Sequence, residues 1–243
     1  MADLDKPASK KKSRFSEELI SDCLLVIEQG DIEDLFDLIP RIGVLCDSRF
    51  KKPLTKLLFQ KDLKRREFAA YAMGAMHDRE FLESLERVFL ETRGLKGTGI
   101  AELQVAVIDA IGCIGEDAAS DFFLPILQDA DACKRSGKRM AQWIVESLGF
   151  IAQQGGERSL AALLELTGHG DHKVQAQAIS ELSVAYWHRP NEVADSTLER
   201  IFELTRSRSA IVAESALAAL QSLADVGCRR AESLFSLPEE DEA

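Results

Sequence analysis

Apolar and small residues recur along this chain in a short signature spaced 31 to 38 residues apart. It reads Ile42-Gly43-Val44-Leu45, Met73-Gly74-Ala75-Met76, Ile111-Gly112-Cys113-Ile114 and Leu148-Gly149-Phe150-Ile151. Looser copies are Leu182-Ser183-Val184-Ala185 and Leu220-Gln221-Ser222-Leu223. A period of that length is the sequence mark of a helical repeat array. Between the signatures, apolar positions keep helical spacing. Leu19, Ile20, Cys23, Leu24 and Ile27 follow Ser16, a predicted N-cap, and stop at Gly30. Ile32, Leu35, Leu38, Ile39 and Ile42 follow Asp31, with Pro40 predicting a bend. Pairs of helices come next: 49–59 with 64–76, 78–90 with 103–114, 117–127 with 138–152, 157–166 with 172–187, and 193–204 with 209–223. A last segment over 227–237 closes the array. No alternating strand pair and no Asn-Gly or Asp-Gly turn interrupts this pattern, which predicts an all-α fold.

Aligning the six copies on their first apolar residue assigns a role to each helix position. Residues four before and three after the reference are apolar or small, the residue eight before is Arg65, Leu103, Met140, Val174 and Val212 in the last five copies, and these steps keep one face buried. The small residues, chiefly Ala and Gly, allow successive helices to approach closely. Five residues after the reference stand Asp47, Asp78, Glu116 and Asp225, where a carboxylate favours the start of the next helix. A single pair cannot bury its own apolar face, so the pairs are expected to stack over 15–237. Outside that range, residues 1–14 lack an apolar period and carry Lys10, Lys11 and Lys12, predicting a disordered basic arm. Residues 238–243 form an acidic tail containing Glu239, Glu240, Asp241 and Glu242.

Composition narrows the function classes. The net charge is −11, which opposes binding to phosphate backbones, because that binding draws on an excess of Lys and Arg. No stretch approaches the length of apolar chain needed to span a bilayer. No apolar region follows the N-terminal lysines, so no secretory signal is expected. Five widely spread cysteines without a Cys-x-x-Cys spacing suit reduced thiols in a cytoplasmic protein.

The segment Asp62-Leu63-Lys64-Arg65-Arg66-Glu67-Phe68-Ala69-Ala70-Tyr71-Ala72-Met73-Gly74-Ala75-Met76 resembles a HEAT repeat of the short bacterial kind related to phycobilisome-lyase repeats. Asp171-His172-Lys173-Val174 and Ala110-Ile111-Gly112-Cys113-Ile114-Gly115 are similar to the same consensus, and the resemblance spans about residues 31 to 237. It implies a right-handed α-α superhelix, a HEAT-like solenoid of about six helix pairs, whose second helices line a concave, protein-binding face. The Asp and Arg that ladder along such arrays are complete at Asp62 and Arg66. Elsewhere the Arg slot holds Gln104, Ala141, Gln175 and Ala213.

Positions two and six before the reference are those expected on the concave face: Glu67 and Tyr71, Val105 and Asp109, Gln142 and Glu146, Ala176 and Ser180, Glu214 and Ala218. This strip is polar to acidic with one exposed aromatic, suited to a basic or mixed helix or peptide. Gln177 and Glu181 break the pattern, because they occupy packing slots that hold Ala or aromatic groups in other repeats. A polar pair there is expected to be hydrogen-bonded or to face a groove. The candidate partner-binding residues are therefore Glu67, Tyr71, Asp109, Gln142, Glu146, Gln177, Glu181 and Glu214.

Enzymatic readings find little to stand on. His169 and His172, with Asp171 between them, have two-ligand spacing, but no further zinc ligand is evident and Asp171 already opens a helix. HEAT-repeat iron hydroxylases of the deoxyhypusine hydroxylase type carry His-Glu pairs, whereas the residues after His77, His169, His172 and His188 are Asp78, Gly170, Lys173 and Arg189. Trp143 with Glu146 superficially resembles the site of HEAT-like DNA alkylation glycosylases. Trp143, however, falls in a packing slot shared with Phe68 and Ala106, which predicts a core residue. Gly94-Leu95-Lys96-Gly97-Thr98-Gly99 lacks the ending of a phosphate-binding loop and predicts a flexible connection. Two basic clusters, Lys61, Lys64, Arg65 and Arg66, and Lys134, Arg135, Lys138 and Arg139, are expected as solvated turns or a local anion patch. The expectation is a non-enzymatic cytoplasmic scaffold or adaptor that binds a protein or peptide, with no cofactor, metal, nucleic acid or membrane. The alternatives are a lyase-like or chaperone role auxiliary to an enzyme or chromophore protein, and a HEAT-like nucleic-acid enzyme, which the net charge opposes.

Overall fold

A computed structural model describes residues 7–128 and 138–235 of the chain. Its helices pack in sequential pairs and fall into two compact units, one ending at Ile114 and the other beginning at Gly115. The apolar period predicts one repeat domain over 15–237 and carries no mark of this division. Among the described residues, no helix is long and apolar enough to cross a membrane.

The first unit opens with α1 (Pro7–Gln29), then α2 (Ile32–Asp37) and α3 (Ile39–Leu45), with the break at Leu38 just before Pro40. Where the sequence predicts an arm over 1–14, the backbone is helical from Pro7, and Ser16 lies inside the helix rather than capping it. Proline suits a first helical position and Lys and Arg are good helix formers, so the segment needs no apolar period to be helical. Residues 1–6 and the acidic tail lie outside the described residues. The rest of this unit is α4 (Lys51–Leu58), α5 (Leu63–Ala75), α6 (Leu82–Thr92) and α7 (Thr98–Ile114). The glycine-rich connection is shorter than expected, because α7 already begins at Thr98.

Acidic side chains start these helices as their spacing predicts. Asp47 and Asp78 accept from the backbone N–H groups of Arg49 and Glu80, at 2.9 and 3.0 Å, in the 3-10 turns that lead into α4 and α6. Asp62 caps α5 by accepting from Lys64 and Arg65. The second helices α3, α5 and α7 stack in order. Gly74 lets α5 and α7 close up: a Cβ there would lie 2.8 Å from the Cα of Ala110. These helices end in left-handed residues four positions after the reference, Cys46 at φ 43° and His77 at φ 49°. The strain at His77 is offset by a neighbour, since its Nδ1 lies 2.5 Å from the Cys113 carbonyl oxygen, an otherwise open acceptor near the end of α7.

The second unit contains α8 (Ala119–Gln128), α9 (Lys138–Gln153), α10 (Glu157–Leu166), α11 (His172–Ala185), α12 (Asp195–Leu204), α13 (Ala210–Asp225) and α14 (Arg229–Phe235). Helices α9, α11 and α13 stack on one another, and α10 and α12 lie on the other layer. The reference residues of all six copies are buried: Ile42, Met73, Ile111, Leu148, Leu182 and Leu220. Two acidic residues expected to open helices do something else. Asp225 accepts from the Gln221 amide at 2.8 Å inside α13. At the other site Asp117, rather than Glu116, carries the capping, and it caps α10 across the repeat boundary. Its carboxylate accepts from the backbone N–H groups of Arg158 and Ser159, each at 2.9 Å. Gly156 at the N-cap of α10 has no side chain for that task.

Candidate functional site

In two of the four copies that lack Arg in the Arg slot, a glutamine there bonds to backbone. Gln104 donates from Nε2 to the Thr92 carbonyl oxygen at 2.7 Å, and Gln175 donates to the Thr167 carbonyl oxygen at 2.5 Å. Both acceptors sit at the end of the first helix of the same pair, where backbone carbonyls lack an intrahelical partner. Arg66, in the corresponding position, has its NH2 3.9 Å from Glu91 Oε2, and its buried Nε and NH2 find no hydrogen-bond acceptor among the described residues.

In the first unit one carboxylate of the predicted strip, Glu67, is paired with a lysine. Lys64 bridges Glu67 of α5 at 2.9 Å and Glu102 of α7 at 2.6 Å, and these two carboxylates hold its ammonium pKa well above the usual value. The Glu67 side chain is only 12% exposed. Tyr71, expected as an exposed aromatic, is half-buried and meets Phe36 edge-on at 6.4 Å. Burial, and then the charges of Asp109 and Glu67, push its phenol up. Cys113 is likewise pushed up by burial and by Asp109, which disfavours the thiolate a nucleophile needs.

The second unit brings three of the predicted residues together. Gln177 Nε2 donates to Glu181 Oε1 at 2.8 Å on α11, so the anomalous polar pair is hydrogen-bonded within itself. Burial raises the Glu181 pKa to about 7; the Gln177 hydrogen bond opposes this, and the charge of Glu146 on α9 adds to it. Room for the carboxylate comes from Gly149, since a Cβ there would meet a Glu181 carboxylate oxygen and lie 2.8 Å from its Cδ. Glu146 is exposed, and one turn further on Phe150 is 42% exposed. Phe150 is not among the predicted positions, because the apolar signature it belongs to predicts packing. Its signal was the position two after the reference, also occupied by the 87% exposed Val44.

The remaining predicted positions behave differently. Gln142 is half-buried, and Ala176, expected on the open face, is buried. Trp143 is half-buried rather than a full core residue. Glu214 is exposed on α13 together with Leu217, at slots whose counterparts Ala176 and Ile179 on α11 are buried. Only the seven-residue α14 packs on α13 beyond α12 and α11 among the described residues, and no second helix of a further pair covers Glu214 and Leu217 there.

His169 serves its own loop. Its Nδ1 accepts from the Asp171 backbone N–H at 3.0 Å, and its Nε2 lies 3.2 Å from the Leu127 carbonyl oxygen. Asp171 caps α11 through the Lys173 N–H at 2.8 Å. Among the described residues no group of three or more His, Cys, Asp and Glu side chains is placed to hold a metal ion. The basic cluster near Lys61 disperses: Lys64 serves the two glutamates, while Arg65 donates to the Gly30 carbonyl oxygen at 2.8 Å. Lys134 and Arg135, and the side chains of Lys138 and Arg139, lie outside the described residues.

No protein-family model matches the chain, and no curated protein matches it in sequence. Solved structures do match. An archaeal HEAT-like repeats protein from Thermococcus onnurineus NA1 has a TM-score of 0.48 at 16% identity, covering 92% of this chain and 83% of that one. Human deoxyhypusine hydroxylase in complex with glycerol has a TM-score of 0.42 at 14% identity, covering 90% and 92%. An engineered protein has a TM-score of 0.40 at 19% identity, covering 87% and 97%.

Proposed function

We propose that this chain is a non-enzymatic interaction scaffold of the HEAT kind, which holds a protein or peptide partner against its second helices. The observation that carries this reading is the open face of α9 and α11. Exposed Glu146 and Phe150 stand one turn apart there, beside the half-buried Gln177–Glu181 pair. An apolar anchor ringed by carboxylates and a side-chain amide suits a mixed segment, with a basic group opposite Glu146 and Glu181 and an apolar group on Phe150. On α7 of the other unit, burial and the charge of Asp109 favour the neutral thiol of Cys113.

The test is capture of partners on the immobilised chain, followed by calorimetric titration of each purified partner. Glu146→Arg, at an exposed position, is expected to weaken binding about tenfold or more while leaving the helical circular dichroism intact, and Glu181→Arg to weaken it with some loss of stability from the packed site beside Gly149. Tyr71→Ala, in the other unit, is expected to change affinity little. A partner whose affinity is unaltered by both charge reversals would remove this face from the binding site.

A further inference from the structure

The first unit carries a trough between α1 and α4 that none of the repeat positions predicts. One end is a cavity of about 500 Å³ and the other an opening of about 660 Å³; both are lined by Glu28, Lys52 and Pro53, so they form one continuous depression. Its apolar part comes from Ile27, Leu57 and Pro53 at one end and from Leu25, 54% exposed, at the other.

Charge makes the trough unusual on so acidic a chain. The nearby cations on the same stretch of sequence are mostly committed. Arg49 pairs with Glu17 and Asp47, Lys51 with Asp78 and Glu80, and Lys64 with Glu67 and Glu102. Lys52 and Lys56 form no ion pair among the described residues, although both line the cavity one turn apart on α4. Arg65 reaches the same cavity and spends one donor on the Gly30 carbonyl oxygen. The carboxylates that also line the trough, Glu28 on the opposite wall and Asp22 at the Leu25 end, form no ion pair with these cations among the described residues.

The trough follows the chain from Ser48 to Gln60, about 18 Å at helical rise, which matches five or six residues of extended peptide. A small anion would use one end and leave the Leu25 end empty. We propose that this trough docks an extended acidic segment of a partner protein. Carboxylates of the segment meet Lys52, Lys56 and Arg65, and an apolar side chain lies over Pro53 and Leu57. This surface is separate from the face on α9 and α11, and its test reads a different unit.

The experiment is fluorescence anisotropy of the full chain with a fluorescein-labelled peptide of alternating Glu and Leu, six residues long, against the same peptide with Lys in place of Glu. Saturable binding of the acidic probe is expected, falling with salt. It should weaken about tenfold in a Lys52→Glu/Lys56→Glu double variant. Both lysines are exposed, so that variant is expected to keep the helical circular dichroism of the parent. Absence of saturable binding overturns the proposal, as does equal affinity for the Lys peptide or an unchanged affinity in the double variant. Displacement of the probe by inorganic phosphate at matched ionic strength also overturns it, and assigns the trough to a small anion instead.

Discussion

The carboxylate of Glu181 occupies the space that a side chain at position 149 would fill, so the glycine of one repeat and the acid of the next are a matched pair. The match has a pH signature. Glu181 is raised from its ordinary 4.5 to about 7, so the folded state favours its neutral form. Its contribution to stability is therefore complete below about pH 4.5 and is lost as pH rises through 7. The difference is at most about 3 kcal/mol, at 1.36 kcal/mol for each pKa unit. Urea unfolding of Glu181→Gln is expected to match the parent near pH 4 and to exceed it at pH 8. Gly149→Ala is expected to push the carboxylate toward water and bring its pKa back down, which a carbon-13 carboxyl titration would read. An unshifted Glu181 in the parent would refute this account.

Gln104 is expected to matter through a single hydrogen bond. Gln104 and Thr92 are both buried, and Gln104→Ala removes one of the two donors to the Thr92 carbonyl oxygen, leaving the Leu95 N–H at 3.0 Å, at a cost of about 0.5–1.5 kcal/mol. Gln175→Ala removes the equivalent bond to Thr167 and is expected to cost less, because Gln175 is only half-buried. Chemical unfolding of the two variants checks both the size and the order.

At the start of α10 the usual stabilising substitution is expected to fail. Replacing an N-cap glycine by serine normally gains a capping bond. Here Asp117 already supplies it, and a Cβ at Gly156 would lie 2.9 Å from Asp117 Oδ1 and 2.8 Å from Ile151 Cγ2. Gly156→Ser is thus expected to destabilise. Asp117→Ala is expected to cost about 1–2 kcal/mol, and more if the buried Ser120–Ser159 hydroxyl pair, 2.7 Å apart, rearranges with it. Thermal unfolding in which Gly156→Ser melted above the parent would contradict the cross-repeat cap.

These cases mark where the sequence is readable and where it stops. The burial of Ile42, Met73, Ile111 and Leu148, and the closeness allowed by Gly74, are legible because each repeats at one period. Glu181 was legible as an exception to that period, and its Gln177 partner one turn away followed from helix geometry. Asp117 was not, because the donors it satisfies lie 41 and 42 residues on, and nothing local distinguishes it from a helix-opening acid. The role of Gln104 and Gln175 in the Arg slot is not legible either, because the carbonyl each amide reaches lies on the preceding helix. Phe150 was hidden by its own hydrophobicity, which periodicity assigns to packing. The trough beside Lys52 depends on how α1 lies against α4, and no repeat position encodes that.

Arg66 gives the sharpest contrast with the glutamines in the same slot. Its side chain is 15% exposed, its nearest carboxylate is Glu91 at 3.9 Å, and two of its buried nitrogens have no acceptor among the described residues. Glu91 is shared, since its Oε1 accepts from Arg87 Nε at 2.9 Å. A buried guanidinium so poorly matched contributes little net stability, because desolvation consumes most of its attraction to the carboxylate. Arg66→Met keeps the packing of the stem and removes the charge, so it is expected to leave stability unchanged or raise it by about 1 kcal/mol or more. Glu91→Gln keeps the buried charge and removes its partner, and is expected to destabilise. Guanidinium chloride would screen the pair, so urea unfolding at low salt is the measurement. A loss of stability in Arg66→Met as large as that in Gln104→Ala would mean that the arginine does the same work as the glutamines.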